Sequence, residues 1–159
     1  MAVQKIPFTK VGFDRLQVEL DDLRANGRPQ VIAAIAEARA HGDLSENAEY
    51  HAARERQGMI EARINDLEDK LSRAQVVEFD KAPRDRVGFG AHVTIEDDES
   101  GEAKEFQIVS ALEADIDAGR ISASSPIAKA LMGKRLDDLV QIKAPKGVAE
   151  YVVTAINYP

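Results

Sequence analysis

The sequence predicts an α+β protein. An antiparallel α-helical coiled-coil hairpin occupies residues 1–78, and a small, mostly antiparallel β-sheet domain with one short helix occupies residues 79–159. Three observations carry this. Apolar residues step by four and three along Phe13, Leu16, Leu20 and Leu23, and again along Ile60, Ile64, Leu67, Leu71 and Ala74, the spacing that keeps side chains on one helix face against a partner helix. The two seams also mirror each other. Phe13 with Ala74, Leu16 with Leu71, Leu20 with Leu67 and Leu23 with Ile64 have residue numbers that sum to 87; Val31 with Gln57, Ile35 with Ala53 and Ala38 with Tyr50 sum to 88. Two antiparallel helices joined by a short connection require such a constant sum. Beyond Val77 the apolar period drops to two, as Ala91, Val93 and Ile95 alternate with polar residues in the manner of a half-buried strand.

The residues up to Pro7 read as extended, and Thr9 as a helix N-cap. The first helix carries Phe13, Leu16, Leu20 and Leu23 inward. Asn26-Gly27-Arg28-Pro29 should interrupt it with a kink or short break, because Gly27 is a poor helix former and Pro29 has no N–H for the preceding turn. Pro29 then opens a second segment from Val31 to Ala40, rich in alanines that let two helices approach closely. The return helix is expected from about Glu46 to about Val76, roughly 30 residues or about 45 Å of rise. Phe79 to Arg86 reads as a linker. In the second domain the sequence predicts a strand around Val93, an acidic turn from Glu96 to Gly101, a strand with Phe106 and Ile108, and a short strand from Arg120 to Ser122. Ser125-Pro126 starts a short helix that Gly133 ends, Val140 and Ile142 lie on a strand, Pro145-Lys146-Gly147 turns, and Tyr151 to Ile156 is the last strand.

Composition excludes several classes. With no cysteine, a disulfide framework and cysteine-ligated zinc or iron–sulfur sites are ruled out. The net charge of −7, spread over both halves, argues against a general nucleic-acid coat protein. No apolar run is long enough to span a bilayer and the N-terminus carries no secretory signal, so a cytoplasmic, membrane-independent protein is expected.

The seams converge on residues 42–49, Gly42-Asp43-Leu44-Ser45-Glu46-Asn47-Ala48-Glu49, which places Asp43 and Glu46 at the exposed end of the hairpin. Asp43-x-x-Glu46 has a structural explanation as an N-cap and capping box for the return helix. It also has a chemical one, because carboxylates at a helix start stay ionised and can offer lone pairs to a metal. The two are compatible. Glu49 reads as a solvated helix residue. His41 and His51 lack a third ligand at metal spacing, so zinc is not expected. Arg39, Arg54 and Arg56 either solvate the helix surface or touch phosphate. Ser122, Ser124 and Ser125 lack a paired base and read as turn and cap residues, and there is no glycine-rich phosphate loop.

The stretch from Ala40 to Glu55, centred on Gly42-Asp43-Leu44-Ser45-Glu46-Asn47-Ala48-Glu49-Tyr50, closely resembles the coiled-coil tip of the bacterial Gre transcript-cleavage factors. Ile121-Ser122-Ala123-Ser124-Ser125-Pro126-Ile127-Ala128 resembles that family's C-terminal signature, and His51-Ala52-Ala53-Arg54-Glu55 is similar to its less basic branch. The resemblance covers essentially the whole chain. It implies an FK506-binding-protein-like second domain that binds RNA polymerase, and a hairpin that enters the polymerase secondary channel. There Asp43 and Glu46 would help hold a second Mg²⁺, shared with the polymerase, and a water for cleavage of backtracked RNA at its 3′ end. Ser45, Asn47 and Arg54 would be further tip contacts. The implied protein is a monomer without a cofactor of its own and not itself an enzyme, but a stimulator of the polymerase's own transcript cleavage. The Asn26-Gly27 pair departs from the charged residues usual before the proline in that family, which bears on the straightness of the first helix.

Two other readings have their own discriminants. A channel-binding inhibitor without cleavage activity would be favoured by an altered tip, whereas both acids are present. A peptidyl-prolyl isomerase needs an apolar, aromatic-lined pocket, and residues 79–159 offer only Phe79, Phe89, Phe106, Tyr151 and Tyr158.

Overall fold

The structure, a computed structural model, describes residues 4–42 and 46–159. The chain divides into two compact units. One takes the chain up to Ile6 and then Val11–Ala74; the other takes Pro7–Lys10 and Gln75–Pro159.

The first unit is the helical hairpin. Its outgoing arm comprises α1 (Lys10–Asp22), a π-helical turn (Leu23–Gly27) and α2 (Arg28–Arg39); its returning arm is α3 (Ala48–Ser72). The seam lies where the apolar spacing put it. Leu16, Leu20, Val31, Ile35, Ala38, Ala53, Ile64 and Leu67 are buried, and Phe13, Leu23, Ile60 and Leu71 are half-buried. Ion pairs stitch the arms on either side of the seam. Arg28 meets Glu61 through two bonds (2.7 and 2.9 Å), Arg63 meets Glu19 the same way (2.7 and 3.0 Å), and Arg24 meets Glu68 at 2.8 Å. Exposed pairs of this kind contribute little stability individually, but bidentate geometry favours one register.

The structure bears on the sequence reading at two points in this unit. The expected interruption at Asn26–Pro29 is a π-helical turn and not a break. Asp22, Gly27 and Arg28 all keep right-handed helical dihedrals, and the Arg28 N–H reaches back to the Leu23 carbonyl. One extra residue in that turn rotates the following positions, so the seam passes from Leu23 to Val31 without interruption. Pro29 falls in the first turn of α2, where its missing N–H costs little. The return helix is also shorter than expected at both ends. It stops at Ser72, and Ala74–Val76 forms strand β2 against β1 (Ile6–Phe8). The Ile6 N–H donates to the Arg73 carbonyl and the Val77 N–H to the Phe8 carbonyl, both at 2.9 Å. Those bonds compete with continuation of the helix.

The second unit is built on a five-stranded sheet in the order β5–β4–β3–β7–β6. Its strands are β3 (His92–Asp97), β4 (Ala103–Val109), β5 (Arg120–Ser122), β6 (Leu139–Ala144) and β7 (Gly147–Asn157). Four of the strands pair antiparallel, β3 lying between β4 and β7 with a register shift at Thr94/Ile95, and β6 beside β7. The β4–β5 pair is parallel. Parallel neighbours need a crossover, and the segment between β4 and β5 supplies it through two 3₁₀ turns, Ala111–Glu113 and Ile116–Ala118. The single α-helix, α4 (Pro126–Leu131), begins where Ser125 accepts the Ala128 N–H at 3.2 Å. Val93, Ile95, Ile108, Leu131, Val140 and Val153 form the centre of the core. This is the predicted α+β architecture, with one parallel pair inside a mostly antiparallel sheet.

Two features of this unit depend on particular side chains. Glu113, itself buried, accepts the Ser110 N–H (3.3 Å) and hydroxyl (3.1 Å), the Thr9 N–H (3.1 Å) and the Thr9 hydroxyl. Four donors on one carboxylate offset the cost of burying it. Gly90 has φ +83°, and a Cβ there would lie 2.1 Å from Phe79 Cζ. The Phe79 ring is in turn held by Phe89 and Tyr158, with centroids at 6.5 and 5.9 Å.

Gly90→Ala should therefore destabilise the protein by about 2–4 kcal/mol, from left-handed backbone strain plus overpacking against Phe79. Denaturant unfolding measures this, and a loss below about 1 kcal/mol would contradict the geometry. A second expectation concerns acid. The hydrogen bond from Arg28 holds the Glu61 carboxyl below the usual glutamate range, against the opposing effect of desolvation. A depressed carboxyl adds stability that is present above its unfolded value and lost as pH falls through the folded one. Glu61→Gln should lower the melting temperature at neutral pH, and the gap from wild type should close as the solution is acidified below the ordinary glutamate range. An unchanged gap in acid would show that the pair does not titrate as a unit.

Candidate functional site

The closed end of the hairpin is built from the last turn of α2 and the first turn of α3. The last turn of α2 tightens. The Ala40 N–H is shared between the Ala36 carbonyl (3.3 Å) and the Glu37 carbonyl (3.1 Å), and the His41 N–H reaches the Ala38 carbonyl at 3.1 Å. Gly42 leaves the helix at φ +117°, a conformation that side-chain-bearing residues rarely adopt. Asn47 then starts α3. From an extended backbone its Oδ1 accepts the Tyr50 N–H at 3.0 Å, and its Nδ2 donates across the hairpin to the Ala38 carbonyl at 2.7 Å. One side chain thus caps the return helix and ties it to the outgoing one. A second contact crosses the same end, where the Arg39 guanidinium lies 5.8 Å from the centre of the Tyr50 ring.

The cap of α3 differs from the one read from Asp43-x-x-Glu46. The helix starts at Ala48, its cap is Asn47, and Glu46 lies in the bend before it. Asparagine fits this place because it can accept from α3 and donate to α2 at once, which an aspartate cannot. Asp43 and Ser45 lie outside the described residues. The Glu46 side chain is exposed, and no hydrogen bond or ion pair engages its carboxylate among the described residues. Glu46 precedes a helix start, the end of a helix that favours negative charge. Glu49 follows in the first turn and is exposed. His41, Glu46, Asn47, Ala48 and Glu49 line an open depression of about 420 Å³. Arg54 is exposed further along α3 and donates to Gln57 at 3.1 Å. Closure of the hairpin by Asn47 and by the Arg39–Tyr50 contact lies beyond the sequence expectation. The available signals were the strong capping preference of asparagine and the pairing of Ala38 with Tyr50, which sets Arg39 beside that ring.

A hard cation takes oxygen ligands, about six for Mg²⁺. An exposed, unengaged carboxylate such as that of Glu46 fits such an ion as one partial ligand. Among the described residues no group of three or more histidines, aspartates or glutamates could hold a metal.

On the second unit, a surface groove of about 310 Å³ is lined by the sheet residues His92, Thr94, Glu105 and Gln107, with Phe106, Arg120 and Asn157 at its walls. Phe106 is the only phenyl or phenol ring among its lining residues, and Phe79, Phe89 and Tyr158 pack on one another. No helix among the described residues is long and apolar enough to cross a membrane.

Comparison with known proteins gives a consistent result over both units. Residues 6–76 match the family described as transcription elongation factor, N-terminal, and residues 82–158 match that described as transcription elongation factor, GreA/GreB, C-terminal. Transcription elongation factor GreA of Rhodospirillum rubrum is 54% identical over 156 residues, covering 98% of this chain and 99% of that one. The GreA protein of Phenylobacterium zucineum is 50% identical over the same length and shares of the two chains. A solved structure of the transcription factor Gfh1 is 34% identical, covers 98% of this chain and 99% of that one, and has a TM-score of 0.47. With both family models matched in order along the chain, and half of the residues shared with curated relatives from end to end, this protein is a member of the GreA/GreB family of transcription elongation factors.

Proposed function

We propose that this protein inserts its helical hairpin into the secondary channel of RNA polymerase and stimulates the polymerase's own Mg²⁺-dependent cleavage of backtracked RNA, which returns arrested complexes to elongation. The observation that carries this reading is the exposed Glu46 carboxylate, without a partner among the described residues, beside the Asn47 closure of the hairpin. Family membership supplies the context of transcription elongation, and hence RNA polymerase as the partner.

The chemistry follows from charge and reach. Hydrolysis of a phosphodiester by two metals needs one ion near the attacking water and another near the leaving oxygen; the Mg²⁺ shared with the polymerase supplies the additional positive charge when bound. The contribution of this chain is to deliver carboxylates. Asp43 and Glu46 would hold the shared ion and orient the water, and the polymerase's acids and the RNA phosphate would supply the remaining ligands. Ser45 and Arg54 are further tip contacts. The second unit serves as the docking domain on the polymerase. In this reading the protein acts as a monomer in the cytoplasm and carries no active site of its own.

Two results test it. Asp43→Ala and Glu46→Ala should leave helicity and stability nearly unchanged, because Glu46 caps nothing and supports no core. Each variant should still compete with wild type for polymerase, but should fail to release 3′ RNA fragments from stalled, backtracked complexes. Normal cleavage by the double variant would remove the acids from the mechanism. The second test is incubation of the purified protein with labelled RNA and Mg²⁺, with and without backtracked complexes. RNA should remain intact without polymerase. With polymerase, cleavage should require Mg²⁺ and disappear when the polymerase's metal-binding acids are replaced. Metal-dependent cleavage by the protein alone would identify a nuclease and overturn the shared site.

A further inference from the structure

We infer that Asn47 is the positioning residue of the acidic turn: by joining the start of α3 to the end of α2 through its two amide atoms, it sets where the Glu46 carboxylate stands. The inference rests on the cleavage-stimulating role proposed above and assigns a task that the two acids cannot perform for themselves.

The orientation of the amide is fixed by its partners. The Tyr50 N–H can only donate and the Ala38 carbonyl can only accept, so Oδ1 must face α3 and Nδ2 must face α2. The seam cannot do this work alone. Ala38 and Ala53 are its last buried residues toward the turn, and both are too small to lock one helix against the other in position. Beyond them, the described contacts crossing between the arms are the Asn47–Ala38 bond at 2.7 Å and the Arg39–Tyr50 contact. The second is a cation over a ring face, which restricts sliding less than a directed hydrogen bond does. Glu46 is bonded directly to Asn47 and has no side-chain partner among the described residues. Its carboxylate is therefore placed by its backbone, and its backbone by Asn47. A ligand that must meet a metal and a water to within a fraction of an ångström depends on such support.

Capping and tying can be separated by substitution. Asn47→Asp keeps an oxygen for the Tyr50 N–H and adds a charge that suits a helix start, but it has no donor for Ala38. Asn47→Ser keeps a neutral cap and is too short to span to α2. If Asn47 only stabilises the helix, both variants should behave as wild type. If it positions Glu46, both should retain the helical circular dichroism of wild type and the same half-saturating concentration in a titration of backtracked complexes, within about twofold. Their cleavage rate at saturating protein should nevertheless fall about tenfold. Wild-type cleavage at saturation by these variants would overturn the inference. So would a higher half-saturating concentration with an undiminished rate, because it would place Asn47 in docking instead. Amide hydrogen exchange of the full chain gives a readout that needs no polymerase. In Asn47→Asp the His41 amide, which shares the Ala38 carbonyl, should exchange at least several-fold faster while the Tyr50 amide stays protected. Equal exchange at His41 would show that the bond does not hold the turn. If wild type stimulated no cleavage, the proposed function would fall, and the exchange measurement would still decide whether Asn47 ties the two helices.

Discussion

The hairpin depends on one constraint: neither arm can hide its apolar stripe from water except against the other. α3 runs for 25 residues and buries only a narrow row of side chains, with polar residues over most of its circumference. A single helix with that pattern would leave Ile64 and Leu67 in water; packed on α1 and α2 they are fully buried. The ion pairs add little energy at their exposure, but they reject other registers, since sliding one arm by a turn would separate Arg28 from Glu61 and Arg63 from Glu19. The π turn serves the same constraint. It keeps the stripe of α2 in line with that of α1 across a glycine and a proline that would otherwise divide the arm.

At the closed end the logic changes from apolar to polar. The seam narrows to Ala38 and Ala53, which bring the helices close and leave no volume for a core. Closure passes to groups with direction: an amide that accepts on one side and donates on the other, and a guanidinium over a ring. This suits a site whose acids must remain in water. An acid recruited to cap α3 would have its lone pairs occupied by backbone N–H groups, whereas with a neutral asparagine cap the Glu46 carboxylate has no partner among the described residues. Within the proposed function, the division of labour between Asn47 and Glu46 is what allows a slim hairpin to present a carboxylate in a defined place without burying it.

The globular unit solves a different problem, the closing of a small sheet around one short helix. The parallel β4–β5 pair arises because the chain leaves β4, passes through two 3₁₀ turns and returns alongside it in the same direction. Glu113 sits in the first of those turns and gathers donors from Ser110 and from Thr9, a residue more than a hundred positions away. Thr9 read in sequence as a helix cap, and it does stand immediately before α1. Its attachment to a buried carboxylate was invisible, because the local Ser110-x-x-Glu113 pattern marks a capping box and says nothing of a partner so distant in the chain.

The sequence by itself determined the elements whose cause is local or periodic. The two seams with their constant pairing sum placed the antiparallel arms and the turn between them. Alternation marked β3, and Ser125-Pro126 marked the start of α4. The same stretch of residues around Asp43 and Glu46 carried the family resemblance that the comparisons over both units bear out. Tertiary structure decided what depends on partners distant in the chain. It chose a π turn over a break at Pro29, because a continuous stripe opposite α3 outweighs the local preference of Gly27 and Pro29. It ended α3 at Ser72, because Ile6 and Phe8 compete for the backbone there. It moved the cap from Asp43 to Asn47, because only a side chain that both accepts and donates can satisfy Tyr50 in one helix and Ala38 in the other. Periodicity reports which face of an element is buried; which hydrogen-bonding groups meet across two elements is settled only when both are in place.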